Sequence, residues 1–333
     1  MQTLGRLLAV KKYRYFFCMV ILVCLLFNAT YATEKRKIAI LPPGTTSPFH
    51  SEIAKGAQEQ GEDTGFRIEV QAPERETDFK GQVKLMTDFI AQKVNVISVN
   101  AIDENAIRIA INAATKAKIP VFVHNSLTPI TNTSVTEYIG YNQRNGGRAC
   151  GEYAVKLLRG RGKVFIIEGI PGFHQIERSG GFLEVIGRYS GIKVVGKDFA
   201  FWERDQATEV TTRALRKNPD LDLIFADSDE MEIGAAIAAR SMGRKIYTIG
   251  IDGNPITLDK IEEGFVTATL GVYPDKIGAQ IIIQAEKYLK AEKIPAFLET
   301  PAVVVDKNNL EDYKAGKLWT DPVEGKAEEL NRR

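Results

Sequence analysis

The sequence is poor in cysteine and histidine, and it lacks the short motifs of common catalytic and nucleotide-binding sites. Its 333 residues include three cysteines and three histidines. No G-x-x-x-x-G-K-S/T phosphate loop, H-E-x-x-H zinc helix or G-x-S-x-G nucleophile elbow occurs. His50, His124 and His174 show no i, i+4 spacing, and no cysteine or acid run completes a ligand set. Neither a metal nor any other cofactor is expected.

The chain also lacks an excess of basic charge once its first residues are set aside. The formal net charge is +2, with 44 Lys and Arg against 42 Asp and Glu. Residues 1–32 hold four of the basic residues and no acid, so the remaining chain has 40 basic and 42 acidic residues, a net charge of −2. Because nucleic-acid binding needs a basic stripe, this balance argues against a nucleic-acid partner.

Long hydrophobic runs are missing as well, and the main apolar run is short. The twelve residues "FFCMVILVCLLF" follow four basic residues and are too few to span a bilayer comfortably. The next residues, "ATYA", place small side chains at Thr30 and Ala32, where a signal peptidase would cut. We interpret residues 1–32 as a cleaved signal peptide, which predicts a periplasmic protein. Cleavage would remove Cys18 and Cys24 and leave Cys150 without a disulfide partner.

Short β-branched runs alternate with amphipathic helical patterns along almost the whole chain. Runs such as "KIAIL", "VISV", "LIFA" and "YTIG" are each followed by a helical pattern. Alternating βα units form a parallel sheet covered by helices on both faces, and strands buried on both faces are continuously apolar. The units are too many for one such sheet. The sequence therefore predicts an α/β protein with two doubly wound parallel-sheet lobes, a hinge and a ligand cleft between the lobes.

No Pro/Gly/Ser-rich linker separates the two predicted lobes, which indicates that several short crossings join them. We place the N-terminal lobe at 33–141 plus 274–300 and the C-terminal lobe at 142–273 plus 301–316. The last segment, 317–333, loses its periodicity and is predicted to be a polar tail with little core of its own.

Several of the predicted strands end on polar or aromatic residues. Ligands of open α/β sheets bind beyond the carboxyl ends of the strands, so these side chains are expected to line one cleft. Aromatic faces, short polar groups, one arginine and one aspartate suit a sugar, because rings pack on its C–H faces and polar groups bond its hydroxyls. The residues placed in the cleft by this reasoning are Phe49, Asn125, Arg178, Trp202, Ser228 and Asp252.

Taken singly, each of these residues has a plainer explanation. Phe49 and Trp202 are also typical of core aromatics, and Arg178 is also typical of a helix surface. Asp252, which is followed by a glycine, is also typical of a turn or a helix cap. Only the joint pattern favours a ligand site.

The chain from Ile38 to about Asn309 resembles the periplasmic sugar-binding proteins of the ribose-binding type, relatives of the ligand domains of lactose-repressor-like regulators. The motifs that carry the resemblance are "SPFHSEIAKGAQEQ", "IPVFVHN", "IERSGGF", "FADSDEMEIGAAIAA", "TIGIDGNP" and "ATLGVYPDKIGAQ". Through the first motif, the resemblance adds Ser47 and His50 to the ligand-binding residues. It implies a monomeric, non-catalytic protein that captures a monosaccharide or sugar-like ligand by hinge closure and delivers it to an inner-membrane ABC permease.

The sequence also departs from the family's pattern. Ribose binders usually have asparagine at the positions of Ser47 and Ser228, Asp-Arg at those of Asn125 and Ser126, and glutamine at that of Val272. These departures favour a related sugar or sugar-derived ligand over ribose. Two stretches also look a little like the periplasmic autoinducer-2 receptor. The alternative is therefore a periplasmic sensor of autoinducer-2 or a sugar that signals to a histidine kinase or chemoreceptor.

Overall fold

The computed structural model describes residues 35–325, so the signal peptide predicted at 1–32 lies outside the described residues. The strands are β1 (Lys37–Leu41), β2 (Arg67–Val70), β3 (Val96–Val99), β4 (Val121–His124), β5 (Glu137–Gly140), β6 (Gly162–Glu168), β7 (Ile192–Phe199), β8 (Leu223–Ala226), β9 (Tyr247–Asp252), β10 (Ala268–Gly271), β11 (Phe297–Glu299), β12 (Val303–Asp306) and β13 (Val323–Gly325). The helices are α1 (Pro48–Thr64), α2 (Phe79–Ala91), α3 (Glu104–Lys116), α4 (Gln143–Leu158), α5 (Phe173–Ile186), α6 (Arg204–Lys217), α7 (Asp229–Ser241), α8 (Pro255–Glu262), α9 (Pro274–Leu289) and α10 (Leu310–Lys314). Among the described helices, none is long and apolar enough to cross a membrane.

The first sheet has seven strands in the order β13-β11-β5-β4-β3-β1-β2. All its pairs are parallel except the pair of β13 with β11. Successive residues of β1 point to opposite faces, as strand geometry requires. Ile38 and Ile40 pack in the cluster that contains residues of α1 and α9, whereas Ala39 and Leu41 pack in the cluster built with α2 and α3. The sheet is therefore buried on both faces.

The second sheet has six strands in the order β12-β10-β9-β8-β6-β7, and only β12 runs antiparallel to its neighbour. The alternation repeats in β6. Val164 and Ile166 pack on one side with Phe182 of α5, whereas Phe165 and Ile167 pack on the other side with residues of α6 and α7. The prediction of two doubly wound α/β lobes is thus confirmed.

The chain crosses between the two sheets several times. It passes from β5 to α4 through residues 141–142, from β10 to α9 through residues 272–273, and from β11 to β12 through residues 300–302. After α10 it returns to the first sheet, where β13 pairs with β11. A single core cluster runs from the first sheet into the second and includes Tyr141 and Val272 from two of these crossings.

The described part of the predicted polar tail, residues 317–325, has more structure than its composition indicates. Leu318 and Trp319 pack against a buried cluster that includes Tyr273 and Tyr313, and the ring centroids of Tyr273 and Trp319 are 5.4 Å apart. Farther on, β13 forms the edge of the first sheet. This end of the chain therefore contacts both sheets of the molecule.

Glu137, the first residue of β5, is an ionisable residue in the protein interior that makes stability depend on pH. The residue is fully buried, and neither carboxyl oxygen has a hydrogen-bond partner among the described residues. Burial raises the pKa of Glu137 to about 8, Lys287 opposes this rise, and Glu324 adds to it. Because the unfolded chain releases this proton at a lower pH than the folded chain does, Glu137 destabilises the fold increasingly as the pH rises towards 8.

The Glu137→Gln variant removes the ionisable group and keeps the shape of the side chain. Ionising a carboxyl whose pKa is raised from 4.5 to about 8 costs the fold about 5 kcal/mol, and 1 kcal/mol moves the melting temperature by roughly 2–4 °C. We therefore expect the variant to melt close to wild type near pH 5 and roughly 10 °C above wild type near pH 8.5. Differential scanning calorimetry at both pH values measures this. Glu152→Gln, at an exposed position, is the matched control and is expected to show no such pH-dependent difference. A constant difference for Glu137→Gln at both pH values would contradict the expectation.

Candidate functional site

A cleft of about 430 Å³ opens beyond the carboxyl ends of strands from both sheets. Residues that follow β1, β3 and β4 line one side, and residues that follow β6, β8 and β9 line the other. The structure brings all eight residues named from the sequence to this cleft: Ser47, Phe49, His50, Asn125, Arg178, Trp202, Ser228 and Asp252.

Asp252 and Arg178 form the charged centre of the cleft. Asp252 ends β9, Arg178 lies on α5, and Arg178 Nη1 is 3.6 Å from Asp252 Oδ1. Arg178 is held from behind, since its Nη1 donates to Asp227 O at 2.7 Å and its Nε donates to Gln143 Oε1 at 3.0 Å. The backbone amide of Asp229, at the start of α7, donates to Asp252 Oδ2 at 3.4 Å. Contacts within the protein thus position both charged groups.

Burial determines the protonation behaviour of this centre. The side chains of Arg178 and Asp252 are only 5% and 7% exposed. Burial raises the pKa of Asp252 well above its ordinary value, Arg178 opposes the rise, and the nearby Asp229 carboxyl adds to it. A carboxylate in this position gains from hydroxyl donors that a ligand would bring, because such donors favour its charged form.

Aromatic residues of both sheets line the cleft. The Arg178 guanidinium lies over the Trp202 ring, 5.5 Å from its centroid. Gly169 makes room for this ring, since a Cβ atom there would lie 2.0 Å from Trp202 Cη2. On the first-sheet side, Phe49 meets His50 edge-on, with ring centroids 5.1 Å apart. These rings can pack on the C–H faces of a sugar.

Three of the eight residues adopt backbone conformations that L-amino acids rarely use. The φ angles of Asn125, Trp202 and Asp252 are 60°, 69° and 145°. Strained backbone persists where the surrounding structure enforces it, and it concentrates at ligand sites. Other described residues, such as Lys93 and Ala291, also have positive φ angles, so these angles support the choice of cleft residues only together with their side-chain chemistry.

The smaller polar residues of the cleft differ in whether their side chains already form hydrogen bonds within the protein. Ser228 caps α7, and its Oγ accepts from the backbone amide of Met231 at 3.4 Å. Ser47 stands at the N-cap of α1, but its side chain makes no capping bond. Asn125 Oδ1 is buried and has no hydrogen-bond partner among the described residues. Ser47 and Asn125 therefore retain hydrogen-bonding capacity for a ligand.

The three histidines do not form a metal centre in the described part of the chain. No group of three His, Cys, Asp or Glu side chains there is arranged to hold a metal ion. His50 and His174 line the cleft, whereas His124 lies behind it with its Nδ1 2.9 Å from Ser98 Oγ. Burial lowers the pKa of His124 and of His174 to about 3, so both rings are neutral at physiological pH.

Gln143 joins the two sides of the cleft, although the sequence reasoning did not select it. Its Nε2 donates to Asn125 O at 2.7 Å and to His174 Nδ1 at 2.6 Å, while its Oε1 accepts from Arg178. Because His174 Nδ1 accepts and the ring is neutral, the proton of His174 sits on Nε2. The amide group thereby fixes the orientation of two cleft residues.

Other polar cleft residues were missed as well. Asn100 follows β3 directly, so the rule of reading the residue after each strand would have found it. Glu76 and Glu230 also line the cleft, and Glu230 forms a two-pronged ion pair with Arg204, with both hydrogen bonds at 2.9 Å. Glu76 lies in the loop between β2 and α2, where no pattern in the sequence indicates its position.

Comparison with known proteins agrees with this geometry. The family model described as the periplasmic binding protein domain matches residues 38–293. The ribose import binding protein of Salmonella typhimurium is 28% identical over 267 residues, which is 80% of this chain and 88% of that protein. The D-allose-binding periplasmic protein of Escherichia coli is 27% identical over 297 residues, which is 84% of this chain and 95% of that protein.

A solved structure of a solute binding protein is also similar to this chain. The periplasmic solute binding protein of an ABC transporter from Actinobacillus succinogenes 130z, with bound D-allose, is 32% identical and superposes with a TM-score of 0.80. The match covers 84% of this chain and 100% of that chain. The resemblance derived from the motifs is confirmed, and the chain belongs to the periplasmic binding protein family.

Proposed function

We propose that this protein captures one monosaccharide or similar polyhydroxyl ligand in the periplasm for an ABC importer. The observation that carries the proposal is the shared cleft, whose lining combines the Asp252–Arg178 pair with the rings of Phe49 and Trp202. A carboxylate accepts from hydroxyls, a guanidinium donates to them, and the rings cover apolar faces. The ligands named for the similar proteins, ribose and D-allose, are molecules of this class.

Capture works through hinge closure in this proposal. The lobes are those at 33–141 plus 274–300 and at 142–273 plus 301–316, and the crossings between the two sheets act as the hinge. Ser47, Phe49, His50 and Asn125 contact the ligand from the first lobe, and Arg178, Trp202, Ser228 and Asp252 contact it from the second. The ligand favours the closed form because only that form allows both lobes to touch it.

The proposal assigns no chemical step to the cleft. Glycoside hydrolysis needs two free carboxyl groups that face one bond. On the second-lobe side, the described carboxyls of the lining are both paired, Asp252 with Arg178 and Glu230 with Arg204. The others, Glu76, Asp103 and Glu104, all lie on the first-lobe side, so no unpaired carboxyl of the described lining faces them. The partners proposed are the sugar and an inner-membrane ABC permease that recognises the closed monomer.

A thermal-shift screen tests the proposed function. The mature chain, residues 33–333, is melted with D-ribose, D-allose, D-arabinose, D-tagatose, D-fructose, D-glucose and myo-inositol. A bound ligand at 100 times its Kd adds about 2.7 kcal/mol, which corresponds to a rise of roughly 5–10 °C. At least one member of the panel is expected to give such a rise. No rise with any of them would overturn the proposal.

The fluorescence of Trp202 is expected to change when the stabilising sugar from the screen is added, because the ring would exchange water for the ligand's C–H face. The sequence holds two tryptophans, and the other, Trp319, packs on Tyr273 outside the cleft. A titration should therefore lose its signal in Trp202→Phe and keep it in Trp319→Phe. The reverse pattern would remove Trp202 from the ligand's surroundings.

A further inference from the structure

Glu76 presents a carboxyl group to the cleft from the first-lobe side, and no described residue satisfies it. Its side chain is 16% exposed, and its Oε1 is 3.6 Å from His50 Nε2, which is too long for a hydrogen bond. No hydrogen bond from another described residue reaches the carboxyl. The carboxyl therefore faces the cleft with hydrogen-bonding capacity that a ligand can use.

The surrounding chain is shaped to hold Glu76 in this place. A Cβ atom on Gly44 would lie 2.7 Å from Glu76 Cγ and 3.3 Å from Glu76 N, so the bare glycine leaves the space that this side chain fills. His50, beside it, is 7% exposed, and its Nδ1 has no hydrogen-bond partner among the described residues. Two adjacent polar side chains of the first lobe therefore line the cleft with unused hydrogen-bonding groups.

Charges on the second lobe face Glu76 across the cleft. Burial raises the pKa of Glu76 to about 7, the Glu203 carboxylate adds to the rise, and Arg178 opposes it. Glu76 in turn contributes to the raised pKa of Asp252. Glu76 and Asp252 therefore line one cleft and lie close enough for the charge of Glu76 to affect the pKa of Asp252.

The described lining of the cleft holds more carboxyl groups than cationic groups. Its described lining includes five carboxyl residues, Glu76, Asp103, Glu104, Glu230 and Asp252, and the single arginine Arg178. Glu230 is paired with Arg204, which lies outside this lining. Arg178 already lies beside Asp252, so its charge is largely balanced. Above pH 7, where Glu76 is charged, a ligand with its own negative charge would meet this carboxylate, and the described lining offers no unpaired arginine or lysine to offset it.

We propose that Glu76 is a specificity-determining residue: its carboxylate accepts hydrogen bonds from hydroxyls of an uncharged sugar, opposite Asp252, and repels sugars that carry a carboxylate or phosphate. This inference rests on the proposed function. It narrows the ligand class to neutral polyhydroxyl molecules and places a second carboxylate contact on the first lobe.

The test pairs the neutral sugar that binds most tightly in the screen with its own uronic acid, which keeps the ring and adds a charge; for D-allose the acid is D-alluronate. Calorimetric titration of both compounds is performed on wild type, Glu76→Gln and the exposed loop variant Glu74→Gln. Glu76→Gln is expected to bind the neutral sugar about tenfold more weakly and to reduce the preference over the acid about tenfold. Glu74→Gln should match wild type in both measurements.

Gly44→Ala supplies an independent variant, because its methyl group displaces the Glu76 side chain without removing the carboxyl. It is expected to shift affinity and preference in the same direction as Glu76→Gln. If Glu76→Gln binds both compounds as wild type does, the inference is wrong while the proposed function stands. If wild type itself binds no sugar of the panel, the proposed function fails and this inference fails with it.

Discussion

Asp252→Ala is expected to bind the sugar identified in the screen at least about 100-fold more weakly than wild type, since roughly 1.5–3 kcal/mol is lost for each charge-assisted hydrogen bond and two hydroxyls are released. The fold should survive, because Arg178 keeps its hydrogen bonds to Asp227 O and Gln143 Oε1. Calorimetric titration gives the affinity, and thermal melting gives the stability.

Two further variants sharpen this prediction. Asp252→Asn keeps the shape and one acceptor, so it should lose less affinity than alanine does. Asp63→Ala removes a carboxyl from an exposed position on α1, outside the cleft, and should bind as wild type does. Wild-type affinity in Asp252→Ala would show that this carboxylate does not hold the ligand.

Gly147→Val is expected to destabilise the protein by about 3 kcal/mol and to weaken sugar binding as well, because it forces apart two helices in backbone contact. A Cβ atom on Gly147 of α4 would lie 2.1 Å from Arg178 O on α5, and a Cβ atom on Gly181 of α5 would lie 2.1 Å from Arg144 O on α4. Arg178 therefore stands on the turn of α5 that the valine would displace. Urea unfolding and calorimetric titration measure the two effects.

The matched control is Glu152→Val, which places the same side chain on an exposed position of the same helix. It should unfold close to wild type and bind the sugar normally. If Gly147→Val unfolds at the same urea concentration as this control, the close approach of α4 and α5 does not limit stability.

The fold could be predicted from the sequence because the apolar strand runs and the helical patterns that follow them both indicate parallel α/β sheets. Strand β8 is continuously apolar and fully buried, β3 is fully buried and apolar except at Ser98, and a helix follows each of them. Parallel strands place their carboxyl ends on one edge of a sheet, so Asn125, Ser228 and Asp252 could be assigned to a common cleft without coordinates. Both the fold and the position of these three residues thus follow from the alternation of strands and helices, without knowledge of tertiary contacts.

Glu76 and Gln143 could not be found in this way. Glu76 lies six residues beyond the end of β2, and the path of that loop depends on its packing against Gly44. Gln143 is the first residue of α4, and its bonds to Asn125, His174 and Arg178 arise only when the crossing brings both lobes together. These positions depend on tertiary contacts that leave no periodic signal in the chain.

The end of the chain illustrates the same limit. Residues 317–325 have no helical or strand period, yet Trp319 packs on Tyr273 and β13 pairs with β11. A strand of three residues is too short to alternate visibly, and its partner lies 24 or more residues earlier in the chain. Edge pairings of this kind become visible only in coordinates.

The central claim is that one sugar contacts both the charged pair and the aromatic rings of the cleft. The most direct test is a crystal structure of the mature chain with the sugar that binds most tightly in the screen. The sugar is expected between Phe49 and Trp202, with its hydroxyl oxygens within hydrogen-bond distance of both Asp252 and Arg178. Electron density for the sugar elsewhere on the molecule, with none of these four side chains in contact with it, would contradict the proposed site.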